Sequence, residues 1–74
     1  MILYHRIGDP DSAVVRRRIV ELGVKARVDF QNVDTDGAEA FAKHGGGRVP
    51  ALWDGERLHE GKHAALALLE TLPR

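Results

Sequence analysis

The 74 residues contain no cysteine, and for so short a chain that absence is the tightest constraint on what it can fold into. Disulfide stapling, thiolate zinc sites, cysteine nucleophiles and thiol–disulfide exchange are all removed together. A domain of this size buries only about 60% of the surface its unfolded chain exposes. With a margin of roughly 3–5 kcal/mol it must rely on regular, well-packed elements. One domain over residues 1–74 is therefore expected, without a large enclosed active site. Eleven Lys and Arg balance eleven Asp and Glu, so no global field draws the chain toward nucleic acid or anionic lipid. No apolar run approaches the roughly 20 residues of a membrane span. The opening Met1–Arg6 has neither the basic nor the apolar region of a signal peptide, which makes the cytoplasm the expected compartment.

Punctuation and periodicity divide the chain into seven elements. Met1 to Arg6 is a short apolar run closed by Gly8-Asp9-Pro10, the pattern of a buried strand. Pro10 suits a first helical turn, with Asp9, Asp11 and Ser12 offering oxygens that can accept from its open N–H groups. Val15, Ile19 and Leu22 then recur at helical spacing, and Gly23 marks the stop. Val24, Ala26, Val28 and Phe30 alternate with Lys25, Arg27, Asp29 and Gln31, the period of a second strand. Asp36 and Glu39 have capping-box spacing ahead of a short helix over Ala40–Ala42 that Gly45 ends. Val49–Trp53 reads as a third strand, and Asp54-Gly55 as the hairpin turn to a brief fourth strand around Leu58. Ala65, Leu68, Leu69 and Leu72 form the apolar face of a last helix from about Gly61, stopped by Pro73. The expected class is α/β, in the order β-α-β-α-β-β-α, with a four-stranded mixed sheet flanked by helices. The first βαβ unit is expected to be parallel and the following pair antiparallel.

Several residue groups carry chemistry in principle. Asp9 and Asp11 form a pair of carboxylates, but at a helix start each also contributes about 0.3–1 kcal/mol as a favourable charge. Ser12 needs a base to act as a nucleophile, and His5 at the end of the first strand is the nearest in sequence. His59-Glu60-Gly61-Lys62-His63 spells the H-E-x-x-H motif of zinc hydrolases. That chemistry needs both rings on one helical face, whereas Gly61 costs a helix interior about 1 kcal/mol and His59 falls at a strand end. Arg16-Arg17-Arg18 fan across roughly 200° of a helix and make no single basic patch. Gly45-Gly46-Gly47 with Arg48 has the make-up of an anion nest, without the Gly-Lys-Ser/Thr of a P-loop. Trp53, just before the turn, is expected in a partly buried packing role.

The element order, with Val49-Pro50 opening the third strand, resembles the thioredoxin fold in its glutaredoxin form, and more closely the N-terminal domain of glutathione S-transferases. Asp9-Pro10-Asp11-Ser12 stands where glutaredoxins have Cys-Pro-x-Cys. Val15-Arg16 to Leu22-Gly23-Val24 is similar to the transferase first helix, and Arg48-Val49-Pro50-Ala51-Leu52 with Asp54-Gly55 to the transferase cis-proline segment. Leu58-His59-Glu60-Gly61 falls where that family has a Glu-Ser turn. The resemblance implies a cis Val49–Pro50 bond and a ligand groove formed by Arg48, Val49, Pro50, Glu60 and Gly61. Asp9 and Ser12 then occupy the degenerate active-site positions, and thiol–disulfide activity is not expected because a carboxylate and a hydroxyl replace the thiols. The implied function is a redox-inactive binding module for glutathione held weakly, a peptide-like ligand or a protein partner. No metal, nucleic acid or membrane is expected. The alternatives are a glutathione-dependent transferase using Ser12 or Tyr4, and a zinc hydrolase using His59, Glu60 and His63.

Overall fold

The computed structural model describes residues 1–73, and the last position of the expected domain lies outside the described residues. Strands β1 (Ile2–His5), β2 (Asp29–Asn32), β3 (Ala51–Trp53) and β4 (Leu58–Glu60) form one mixed sheet in the order β2-β1-β3-β4. β1 runs parallel to β2, with Leu3 opposite Phe30, and antiparallel to β3, with Leu3 opposite Leu52. β3 is antiparallel to β4. Helices α1 (Pro10–Glu21), α2 (Ala38–Lys43) and α3 (Lys62–Glu70) complete the chain. Among the described residues no helix is long and apolar enough to cross a membrane.

Strand alternation sorts the side chains into two layers. Leu3 and Leu52 point to one face and meet Val15 and Ile19 of α1 and Ala65 and Leu69 of α3, all fully buried. Each large side chain of this set contributes about 1.5–3 kcal/mol by leaving water. Tyr4 points to the opposite face, where the Phe41 ring of α2 lies 5.2 Å from its own. There His44 stacks on Trp53 at 3.7 Å, so Trp53 is a half-buried packing residue.

Three local expectations are corrected. The second strand does not begin at Val24: Lys25–Arg27 is a single 3-10 turn, and β2 starts only at Asp29. The parallel register ties the Asp29 N–H to the Met1 carbonyl. Residues 24–28 therefore lie below β1 and bond one another, Arg27 N–H to Val24 and Val28 N–H to Lys25. The capping box is not formed, because Gly37 is the N-cap of α2 and the Asp36 carboxylate instead accepts the Asn32 N–H at 2.9 Å. The hairpin is longer than Asp54-Gly55, with residues 54–57 all outside the strands. Asp54 organises that loop by accepting from the N–H groups of Glu56 and Arg57 and pairing with His59 Nε2 at 2.8 Å. The Arg57 N–H, the His59 ring and the Glu56 N–H hold its carboxyl well below the usual carboxylate range.

α1 follows its expected boundaries closely. Pro10 opens it, Asp9 caps it, and Gly23 takes the left-handed conformation just beyond its end, at φ 71°. At the start of α3, Gly61 adopts φ 92° and ψ 158°, a region that essentially only glycine occupies. Gly61→Ala is expected to cost about 1–3 kcal/mol, read as a fall in the urea midpoint at unchanged m-value.

Candidate functional site

The topology brings three backbone ends together. β1 ends where α1 begins, β3 starts opposite the end of β1, and β4 runs parallel to β1 into α3. The N-termini of α1 and α3 and the entry to β3 therefore share one end of the sheet. A cleft of about 450 Å³ opens there, lined by Asp11, Arg48, Val49, Glu60, Gly61, Lys62, His63 and Ala64. Partial positive charge from two helix starts converges on this end.

The Val49–Pro50 peptide bond is cis. Pro50 is fully buried behind the cleft wall, and its carbonyl accepts the Gly61 N–H at 2.7 Å, joining the entry of β3 to the entry of α3. Val49 is half-buried, and its N–H and C=O have no hydrogen-bond partner among the described residues. At the start of α3 the N–H groups of Lys62, His63 and Ala64 have no intrahelical acceptor and border the same space. The exposed Arg48 side chain lies against Gly61.

Glu60 has a role that its position in sequence does not reveal. Its Oε1 accepts from the N–H groups of Gly47 and Arg48, at 2.8 and 2.9 Å. The glycine loop does form an anion nest, and the anion in it is this chain's own carboxylate. Glu60 thereby anchors the segment leading to Val49. The other side of the cleft is tied by Lys62 Nζ and Asp11 Oδ1, 3.6 Å apart. An ion pair this exposed contributes at most about 1 kcal/mol, so a ligand can exchange for it.

Asp9 and Ser12 are not part of the lining. Asp9 Oδ2 accepts from both the N–H and the Oγ–H of Ser12, each at 2.8 Å. Ser12 is fully buried, and its Oγ accepts the Arg6 N–H at 3.2 Å. The expected base is turned elsewhere: His5 Nδ1 meets Arg16 Nη1 at 2.9 Å. No Ser–His dyad is formed. Tyr4 is also fully buried, and its hydroxyl has no partner among the described residues. Burial, with the Asp29 charge adding, pushes that phenol above its ordinary value. Neither hydroxyl reaches the cleft.

The H-E-x-x-H stretch is divided between two elements. His59 and Glu60 belong to β4 and His63 to α3, with Gly61 turning the chain between them. His59 is bound to Asp54, and Glu60 to the glycine loop. Among the described residues no group of three or more His, Asp or Glu is placed to hold a metal ion.

Asp11, Lys62 and Ala64 were not among the residues named for ligand binding, and His63 was named only for the zinc-hydrolase alternative. Their signal lay in topology rather than in any motif: residues that open α1 and α3 meet only once the strand directions are known. No model of a protein family matches the chain, and no curated protein or solved structure matches it.

Proposed function

We propose that the chain is a redox-inactive binding module of the glutaredoxin-like thioredoxin fold. Its cleft takes an extended, peptide-like ligand carrying a carboxylate, with glutathione as the simplest example. The observation that carries this reading is Val49, whose main-chain donor and acceptor both lack partners among the described residues, on the wall of a polar cleft. An extended ligand satisfies both groups at once, as an added strand does at a sheet edge. The open N–H groups of α3 and the Arg48 guanidinium suit the ligand's carboxylate. Glu60 Oε2 and Asp11 suit an ammonium group, so the cleft matches a zwitterionic ligand better than a plain anion.

The strand order, the cis bond before Pro50 and the placement of Asp9 at the start of α1 support the fold assignment. The chain has no thiol to exchange with a disulfide, and the buried Ser12 and Tyr4 hydroxyls give no support to a transferase reading. These residues support binding without turnover as the reading of the cleft.

Glutathione titrated to millimolar concentration is expected to shift the amide resonances of Arg48, Val49, Gly61 and Lys62 saturably. S-methylglutathione is expected to bind equally well, since no protein group acts on the sulfur. Arg48→Ala is expected to weaken binding about two- to fivefold, the range of one exposed charge contact. No shift at Val49 removes the tripeptide from the ligand class. A shift abolished by S-methylation instead places a reactive group at the sulfur and overturns the binding-only reading.

A further inference from the structure

A buried histidine paired with a half-buried arginine lies beneath the loop that joins β1 to α1, and the ligand cleft does not use the pair. His5 is 5% exposed at the end of β1, with the Phe30 ring of β2 edge-on at 5.7 Å. Its Nδ1 lies 2.9 Å from Nη1 of Arg16 on α1. A guanidinium has donors and no acceptor and does not lose its proton in proteins. Nδ1 must therefore present its lone pair, which fixes the neutral tautomer with the proton on Nε2.

The same guanidinium reaches two carbonyls of the loop, Arg6 O from Nη1 at 3.4 Å and Ile7 O from Nη2 at 3.5 Å. Arg6 continues the chain of contacts, because its N–H donates to Ser12 Oγ and Ser12 donates to Asp9. Arg16 thus couples the charge state of His5 to the path of residues 6–9. Ile7, at the tip of this loop, is 64% exposed.

We propose that His5 and Arg16 form a proton-operated latch on the β1–α1 loop, closed while the imidazole is neutral and released when it is protonated. Proton uptake at Nδ1 replaces the lone pair with an N–H and sets an imidazolium against a guanidinium at hydrogen-bond distance. Both effects expel Arg16, which then leaves the Arg6 and Ile7 carbonyls. The charged groups acting on His5 are Arg16 from α1 and Asp36 from the turn between β2 and α2. Asp36 favours the charged ring, but its Oδ1 is engaged by the Asn32 N–H. Burial first, and Arg16 second, outweigh it and hold the imidazole below its ordinary value of 6.5. The unfolded chain therefore takes up this proton before the folded one. Stability contributed by neutral His5 is complete well above pH 6.5 and is lost progressively as pH falls below that value. Asp11, which lines the cleft, lies two residues beyond this loop in the first turn of α1.

The test needs no ligand and so stands apart from the proposed function. Ring 15N shifts of His5 are to be followed together with backbone amides from about pH 8 to about pH 5, the range in which histidine titrates. The expected result is an Nε2–H tautomer at neutral pH. Amide shifts at Arg6, Ile7, Gly8 and Asp9 then move with the His5 midpoint, and protection of the Arg6 amide falls by up to about tenfold per pH unit, the limit set by one proton. His5→Asn, which keeps an acceptor near Nδ1 but does not titrate, is expected to flatten those amide profiles. Arg16→Gln, on the more exposed partner, is expected to raise the His5 midpoint even if His5→Asn fails to fold. An Nδ1–H tautomer, a His5 that stays neutral throughout the range, or loop amides indifferent to its titration overturns the latch.

Discussion

Leu52→Ala is expected to leave the chain largely unfolded at 25 °C. Leu52 sits on β3, one of the two inner strands of the sheet, and is completely buried between α1 and α3. Its truncation removes buried methyl groups and leaves a void that the two helices cannot close without separating from the sheet. Such leucine truncations cost about 2–5 kcal/mol. A domain of this size without disulfides has a margin of only about 3–5 kcal/mol. Far-UV circular dichroism and amide dispersion would show a mostly unstructured chain, whereas Val20→Ala, at a site 58% exposed, should shift stability by no more than about 0.5 kcal/mol. A cooperative melt of Leu52→Ala close to that of the parent would mean that the core is not organised around this strand.

The residues that made this core visible in the sequence are those whose periodicity agreed with their tertiary role. Val15 and Ile19 repeat along one stripe of α1, and both are fully buried. Pro10 and Gly23 mark the ends of that helix because their backbone preferences are local and strong. Val24 to Phe30 misled for the opposite reason: alternation reports how side chains would face, but strand pairing also needs a neighbour, and β1 meets this segment only from Asp29 onward. Asp36 and Asp54 show a second limit. Each carries an oxygen able to cap several N–H groups, and which donors it takes is decided by where the chain turns, so Asp36 serves Asn32 and Asp54 serves two residues after it.

The cleft was legible in part. Arg48, Val49, Glu60 and Gly61 line it, on motifs that are contiguous in sequence. Asp11 and Lys62 are 51 positions apart by their numbers and meet through an ion pair, so no local pattern could have joined them. Glu60 was visible as an acidic residue near the site, but its use as the filling of the Gly47–Arg48 nest depends on β4 lying beside the glycine loop. The same distinction applies to Asp9: its cap position was readable, and its grip on a buried hydroxyl was not.

That grip makes Asp9→Ala the second large effect. The Asp9 carboxylate caps α1 through the Ser12 N–H and also accepts from the fully buried Ser12 Oγ. Loss of the cap costs about 0.5–2 kcal/mol. The hydroxyl left behind is buried with a donor and no acceptor, which costs about 1–3 kcal/mol more. The two are neighbours and will not add in full, and a loss of about 2–4 kcal/mol is expected in urea unfolding. Asp9→Asn keeps an oxygen acceptor and gives up only the favourable charge at the helix start, so about 0.3–1 kcal/mol is expected. Ser12→Ala in the Asp9→Ala background should recover part of the loss, because it removes the unpaired hydroxyl while leaving the missing cap. A carboxylate placed for proton transfer in the cleft would behave differently. Its removal would relieve charge at little cost in stability, Asn would be no better than Ala, and the Ser12 substitution would rescue nothing. The ordering Asn above the Ala double variant above Ala therefore separates a residue that builds the start of α1 from one that acts on a ligand.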